Sequence, residues 1–381
     1  MDPIIIIGTG LAGYSVAREF RKHDTETPVL LITRDDGASY YKPDISEARA
    51  KGRTPDDLVQ KTADEMAEML NVTVRTHEQV EAIDREAHQV RLASDTLTYS
   101  RLVLAWGAAP IVLNLAGDAA DRVHKINNLM DYRVFRDNLV DGARVAILGA
   151  GLIGCEFAND LITAGYKVSV ADPAGWPLAQ LMPQQPGEAV KAALAHEGVD
   201  WHLGHAATAV HNGGDGRYQI ILDDNSHINA DIILSAVGLK AGTDLAEAAG
   251  LEVDRGVVVD RTLVTSDPDI YALGDCAEVD GHWRPYVGPL MQCARTLGKT
   301  LAAGEDEEPG AVKYPTLPIF IKTHVCPVIA YPPVEKHGEW IIEGRGAALE
   351  GRFVDGDDNM RGFVLTGEAT GKRRDYMKQA P

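Results

Sequence analysis

Three features of the sequence predict an α/β fold made of two copies of one strand–turn–helix–strand unit, closed by a small α+β tail. The first is the opening stretch IIIIGTGLAG, in which four β-branched residues, Ile4–Ile7, run straight into a GxGxxG turn at Gly8, Gly10 and Gly13. The second is the return of that pattern at residues 144–154, where RVAIL precedes GAGLIG with Gly149, Gly151 and Gly154. The third is a change of character beyond residue 310, where short strands alternate with prolines.

The opening strand is apolar at every position and therefore reads as buried on both faces, and residues 11–23 follow it with helical spacing. In such a unit the first glycine allows the tight turn, the second lets the backbone approach a pyrophosphate, and the third lets helix pack close to strand. The phosphates then rest on the positive end of a helix dipole. PVLLIT is the next strand, and Asp35 lies 22 residues after Gly13, where an acid meets a ribose hydroxyl. A glycine-rich turn without a ligand is the alternative. The strand before it, the helix after it and the acid beyond it favour a dinucleotide.

A chain of 381 residues has room for two or three domains, each with its own core. Its net charge of −19 and the lack of a lysine- or arginine-rich run argue against nucleic acid and anionic membranes as partners. The charge is uneven. Residues 310–381 hold ten Lys+Arg and nine Asp+Glu, a net of +1, which leaves −20 for the rest. That near-neutral tail is either a dock for an acidic partner or a chance fluctuation. Apolar runs are far shorter than the ~18 residues of a membrane span, and no positively charged region precedes the first strand, so a cytoplasmic protein without a signal peptide is expected. Cys155, Cys276, Cys293 and Cys326 are scattered without CxxC or metal-type spacing, which points away from structural disulfides and from a zinc site, and no metal ligands are expected. His202 and His205, three apart on an expected strand, point to opposite faces and make a poor ligand pair.

Along the chain, the loop after the first unit carries Tyr40, Tyr41, Lys42 and Pro43, and the proline biases Lys42 towards an extended backbone. Lys42 reads equally as a solvated loop lysine. Residues 46–70 are polar with helical spacing at Leu58, Met66, Met69 and Leu70. VTVRT and QVRLA read as strands of a meander, with Val80 in EQVEAID where a second-layer strand crosses near the adenine. RLVLAW is a buried strand ending at Gly107, and Pro110 marks a hinge out of the first domain. Residues 131–139 predict a short amphipathic helix, residues 155–164 the helix of the second GxGxxG, and KVSVAD a strand ending at Asp172, 23 residues after Gly149. Two fingerprints imply two dinucleotides. Asp172 repels a 2′-phosphate, and no arginine lies between it and Gly187 to receive one, which favours NADH over NADPH.

Residues 183–196 predict a helix, TAV, YQIIL and HINADIILSAVG predict strands, and residues 250–264 are rich in β-formers. DIYALGD is one more buried strand, with Asp275 at its carboxyl end, where ligands of open α/β sheets lie. A helix N-cap or turn carboxylate is the other reading of Asp275, since residues 290–302 predict a helix. The tail strands are LPIFIKT, CPVIAYPP, EWIIEGR, RFVDG and RGFVLTG, and residues 372–381 read as a polar, frayed end.

Five landmarks in order, GTGLAG at 8–13, LAWG at 104–107, GAGLIG at 149–154, SAVG at 235–238 and YALGD at 271–275, resemble the two-dinucleotide flavoprotein reductases related to glutathione reductase over residues 4 to about 300. The resemblance implies two Rossmann-like domains: an FAD domain, 1–111 with 235–309, interrupted by an NADH domain, 112–234, and followed by a C-terminal interface domain, 310–381. It implies FAD at Gly8, Thr9, Gly10, Leu11, Ala12, Gly13, Thr33, Arg34, Asp35, Lys42, Val80, Ala105, Trp106, Gly107, Glu156, Gly274, Asp275, Val287 and Lys322. It implies NADH at Gly149, Gly151, Leu152, Ile153, Gly154, Asp172, Val237 and Gly238.

One departure narrows the choice. Where the family's disulfide reductases carry CxxxxC, this chain reads SYYKP at 39–43 with no cysteine. It resembles instead the branch that passes electrons from flavin to a metalloprotein, and the tracts GAGLIGCEFANDL, LSAVGL, ALGDCAEVDG and IKTxxCP are similar to those of bacterial rubredoxin reductases. That likeness implies hydride transfer from NADH to flavin N5 and single-electron delivery to rubredoxin. It implies an ion pair of Lys42 and Glu156 beside the flavin, although sequence alone reads Glu156 as an exposed first-turn glutamate. The helix from about Val287 directs its dipole at the flavin, and Lys322 either reaches the flavin or is an exposed strand lysine. Cys276 reads as a small hydrophobe, and Trp106 and Trp340 as core rather than electron path. Arg284, Lys322 and Arg352 are the cations expected to attract an acidic partner. Electron delivery to oxygen or a ferredoxin, and a flavin-carrying interaction protein that NADH merely switches, are the competing expectations.

Overall fold

A computed structural model gives the structure, described for residues 2–214, 216–303, 309–334 and 337–380. The chain divides into two compact units, one of Met1–Lys42, Asp57–Ala109 and Leu239–Tyr314, the other of Pro43–Asp56, Pro110–Gly238 and Pro315–Pro381.

In the first unit a parallel five-stranded sheet runs in the order Ile270–Ala272, Arg101–Leu104, Ile4–Ile7, Val29–Ile32, Thr73–Arg75. The GxGxxG strand is central, in register with Val29 on one side and Arg101 on the other through Ile4, and all four of its isoleucines are buried. An all-apolar strand suits that place because helices cover both faces of such a sheet. The helix Leu11–Phe20 lies so close to the helix Val287–Ala302 that a Cβ on Gly298 would come 2.6 Å from Glu19 Cβ. An antiparallel meander, Val80–Asp84, Gln89–Leu92 and Thr96–Thr98, adds Val80, Ile83, Val90 and Leu92 to the same core.

The helical spacing read over residues 46–70 does not give one helix. That stretch holds the end of the 3-10 turn Lys42–Glu47, another turn at Asp56–Leu58, the strand Val59–Lys61 and only then the helix Ala63–Leu70. Gly52 and Pro55 interrupt the early part, and a capping box fixes the later start: Thr62 Oγ1 accepts from Glu65 N at 3.2 Å while Glu65 Oε2 accepts from Thr62 N at 2.7 Å. Residues 250–264 likewise give a single short strand, Val257–Val259.

The second unit repeats the plan. Its parallel sheet runs Val123–Lys125, Ile232–Ser235, Arg144–Leu148, Lys167–Asp172, Asp200–Leu203, again with the GxGxxG strand third, beside an antiparallel trio Ala207–Asn212, Tyr218–Leu222 and His227–Ala230. The same unit holds the tail sheet, antiparallel throughout, in the order Ile319–Ile321, Val328–Tyr331, Met360–Thr366, Ala348–Val354, Glu339–Arg345.

The expectation of a frayed end at residues 372–381 is overturned for the described residues, with Pro381 lying outside them. Arg373–Gln379 is a helix whose Tyr376 ring is buried 5.5 Å from Phe363, with its hydroxyl donating to Glu350 Oε2 at 3.0 Å. Seven residues are too few for a helix to persist alone in water, so this ring is what holds it. Among the described residues no helix is long and apolar enough to cross a membrane.

Candidate functional site

Both glycine turns are built to the same dimensions. Gly8 has φ +116° and a Cβ there would lie 2.4 Å from Ala105 O; Gly149 has φ +109° and its Cβ would lie 2.5 Å from Ala236 O. At Gly13 and Gly154 a Cβ would fall 1.9 Å from the carbonyl oxygens of Gly8 and Gly149, so helix and strand approach as only glycine permits. Gly10 and Gly151 are the N-caps of Leu11–Phe20 and Leu152–Thr163, offer no side-chain cap, and have open space where a Cβ would stand. The first-turn N–H groups are thus left for an external acceptor, and the two cradles fit the pyrophosphates of two dinucleotides.

In the first unit Asp35 Oδ1 accepts from Thr33 Oγ1 at 2.6 Å, Gly37 N at 3.1 Å and Thr9 Oγ1 at 3.4 Å, which fixes the carboxylate at the end of Val29–Ile32. Arg34 beside it is exposed and Val80 is buried. Trp106 Nε1 donates to Gly242 O at 2.7 Å, holding the ring against Gly242, between buried Ala105 and Gly107 at φ +77°. At Gly274 a Cβ would come 3.0 Å from Ala12 Cβ, so the carboxyl end of Ile270–Ala272 reaches the first glycine turn. Burial raises the Asp275 carboxyl above its usual range, against the pull of the Lys42 charge. The capping role considered for Asp275 is not taken up: the N-cap of Val287–Ala302 is Tyr286, without a side-chain hydrogen bond.

In the second unit Asp172 is gripped from two sides, Oδ2 accepting from Ala150 N at 2.6 Å and Oδ1 from Ala174 N at 2.7 Å, so the acid closes the glycine turn itself. Gly238 stands at φ +110° beside Val237, its carbonyl accepting from Ile111 N at 3.0 Å, while Leu152 is half-buried and Ile153 is 41% exposed.

The helix Leu152–Thr163 also carries three buried polar side chains, Glu156, Asn159 and Asp160. Glu156 is 1% exposed, unlike the surface glutamate its position suggests. Its Oε2 accepts from Lys322 Nζ at 2.6 Å and from Ser46 Oγ at 2.5 Å, and its Oε1 from Lys322 N at 2.9 Å. The ammonium on this carboxylate is that of Lys322, because the turn after Ile319–Ile321 brings both its backbone N–H and its side chain to the helix. Asn159 Oδ1 accepts from Val325 N at 3.1 Å, and Asp160 accepts from Ala50 N at 2.8 Å and Arg49 N at 3.1 Å. Lys51 and His324 meet on Glu47 at 2.6 and 3.3 Å. One helix thus fastens the 43–56 segment and the tail turn together.

Ser46, Glu47, Asn159, Asp160 and His324 were missed in the sequence. One signal was available: CEFANDL sets polar residues at i, i+3 and i+4 in a helix whose other inner positions are apolar, an arrangement that only buried partners make stable. The four cysteines are each free and buried, in keeping with the reading of Cys276 as a small hydrophobe.

Asp160 supplies a pH prediction. Burial pushes its carboxyl up to about 6, the N–H groups of Ala50 and Arg49 pulling the other way. An acid raised in the folded state binds more protons there than when unfolded, so its contribution to stability falls as pH rises from about 4 through 6. Asp160→Asn removes that term, and the variant is expected to gain about 2 kcal/mol relative to the parent between pH 4 and pH 7, measured by urea unfolding at both values. A difference that does not change with pH would show that Asp160 titrates normally.

Residues 2–298 match the family described as pyridine nucleotide-disulphide oxidoreductase, and residues 311–380 match the rubredoxin binding C-terminal domain. A rubredoxin-NAD(+) reductase of Alcanivorax borkumensis is 47% identical over 382 residues, covering 100% of this chain and 99% of that protein. Its counterpart in Acinetobacter baylyi is 41% identical, covering 98% and 96%. Among solved structures, a ferredoxin reductase from Rhodopseudomonas palustris shares the fold with a TM-score of 0.89 over 100% of this chain and 95% of that one, at 24% identity.

Proposed function

We propose, from the premise that the chain belongs to the pyridine nucleotide-disulphide oxidoreductase family and ends in a rubredoxin-binding domain, that it is an FAD-dependent reductase taking electrons from NADH and delivering them singly to rubredoxin. One observation carries the direct delivery: the four cysteines are all free and buried, and no two share an element, so no dithiol is available to relay electrons. FAD, when bound, supplies the exchange between a two-electron donor and a one-electron acceptor.

The chain's own residues bind and orient. We assign FAD to residues 1–111 with 235–309, NADH to 112–234 and the partner interface to 310–381. The sheet order that returns Ile270–Ala272 to the sheet of the first GxGxxG strand, beside Arg101–Leu104, supports this division. The first-turn N–H groups after Gly10 and Gly151 receive the two pyrophosphates, and Asp172 disfavours a 2′-phosphate. Lys42 and Lys322 supply positive charge that favours the electron-rich, reduced cofactor, and Glu156 is a positioning residue that aims the second of them. Four unpaired cysteines fit a reducing compartment, from which we place the protein in the cytoplasm.

The test is anaerobic stopped-flow spectroscopy at the flavin band. NADH is expected to bleach it, and oxidised rubredoxin, but not a plant-type ferredoxin, to restore it rapidly. Slow recovery with both carriers, or recovery only on admitting oxygen, would remove the rubredoxin assignment.

A further inference from the structure

The C-terminal helix Arg373–Gln379 is a rigid display of positive charge on a chain whose net charge is −19. Glu350 pins it twice: Oε1 accepts from Lys372 Nζ at 2.7 Å and Oε2 from the Tyr376 hydroxyl at 3.0 Å. Arg373, Arg374 and Lys378 are left exposed on the solvent side, and among the described residues none of them has a carboxylate within ion-pair distance. Asp375, also exposed, is the one acid on the helix. Carboxylates are abundant in this molecule, 56 in all, and many cations take one up. Within the tail Lys322 is on Glu156, Lys372 on Glu350, Arg352 on Glu343 at 3.6 Å and Arg361 on Asp355 at 2.7 Å. The cations expected to attract a partner are engaged elsewhere as well, Arg284 stacking 4.9 Å over the Tyr314 ring.

We infer that Arg373, Arg374 and Lys378 form an electrostatic steering surface for a carboxylate-rich face of the electron-accepting protein, within the segment that matches a rubredoxin-binding domain. This rests on the functional reading above and adds to it where the encounter begins. Rigidly held cations with no ion-pair partner among the described residues keep their field for a partner protein, and such a field acts on the rate of encounter more than on the final complex. The surface carries no electrons. Its removal therefore leaves the chemistry of the holoenzyme alone.

The experiment compares the parent with the triple variant Arg373→Glu, Arg374→Glu, Lys378→Glu. The readouts are NADH-driven reduction of rubredoxin and of a neutral quinone, each at about 20 mM and about 300 mM salt. At low salt kcat/KM for rubredoxin is expected to fall about tenfold with kcat unchanged, the gap closing at high salt, and quinone reduction to be unaffected. Replacement of the same three residues by Gln gives a milder version should charge reversal disturb folding, and the exchange R373K/R374K/K378R is expected to retain the parent's salt dependence. If neither the Glu nor the Gln variant differs from the parent in kcat/KM or salt slope, the surface plays no part. A parent that fails to reduce rubredoxin at all overturns the functional reading and this inference with it, an outcome visible before any variant is made.

Discussion

Glu156→Ala is expected to lower the free energy of unfolding by about 3 kcal/mol and to slow NADH-to-rubredoxin turnover by about 10- to 100-fold. The stability effect follows from what the carboxylate leaves behind. It is 1% exposed and accepts three hydrogen bonds, from Lys322 Nζ, Lys322 N and Ser46 Oγ. Without it a cation and two neutral donors face a cavity. The lower end of the usual range for a broken buried pair applies because the Lys322 side chain keeps 24% of its surface in water. The rate effect is separate, arising because the lysine loses the group that aims it. Urea unfolding of Glu156→Ala, Lys322→Met and the double variant at neutral pH gives the coupling directly, expected at about 1–3 kcal/mol. Strict additivity would mean that the pair holds nothing, and a Glu156→Gln variant as active as the parent would mean that the charge does no positioning.

That pair also marks where the sequence ceased to be legible. The two glycine turns and the acids after them were readable because each depends on residues within about 25 positions of one another and on periodicity alone. Glu156 and Lys322 are 166 residues apart and belong to elements whose pairing only the fold decides, so no local pattern brings them together. Asp160 and Asn159 escaped for the same reason: their partners are backbone N–H groups, which no side-chain pattern announces. The C-terminal helix was misjudged because one buried ring, Tyr376, outweighs a polar composition. In residues 46–70 the opposite happened, since apolar spacing suggested a helix that Gly52 and Pro55 do not allow.

Gly13→Ala and Gly154→Ala are the same chemical change at equivalent places in the two repeats, and they are expected to fail differently. An alanine inside a helix ordinarily stabilises by about 1 kcal/mol over glycine, so any loss isolates the clash of the new Cβ with the carbonyl 1.9 Å away. Forcing helix from strand costs about 1–3 kcal/mol in either repeat. It also moves the N-terminal N–H groups from the phosphates they serve, and a shift of about 1 Å costs about 100-fold in function. If the first repeat holds FAD, Gly13→Ala is purified largely without flavin, which absorbance at the flavin band reports at once. If the second holds NADH, Gly154→Ala retains its flavin and is reduced normally by dithionite, while its reduction by NADH slows about 100-fold. The paired result decides the assignment more firmly than either variant alone, because general misfolding would strip flavin from both. Loss of flavin from Gly154→Ala with retention in Gly13→Ala would reverse the order of the two cofactors along the chain.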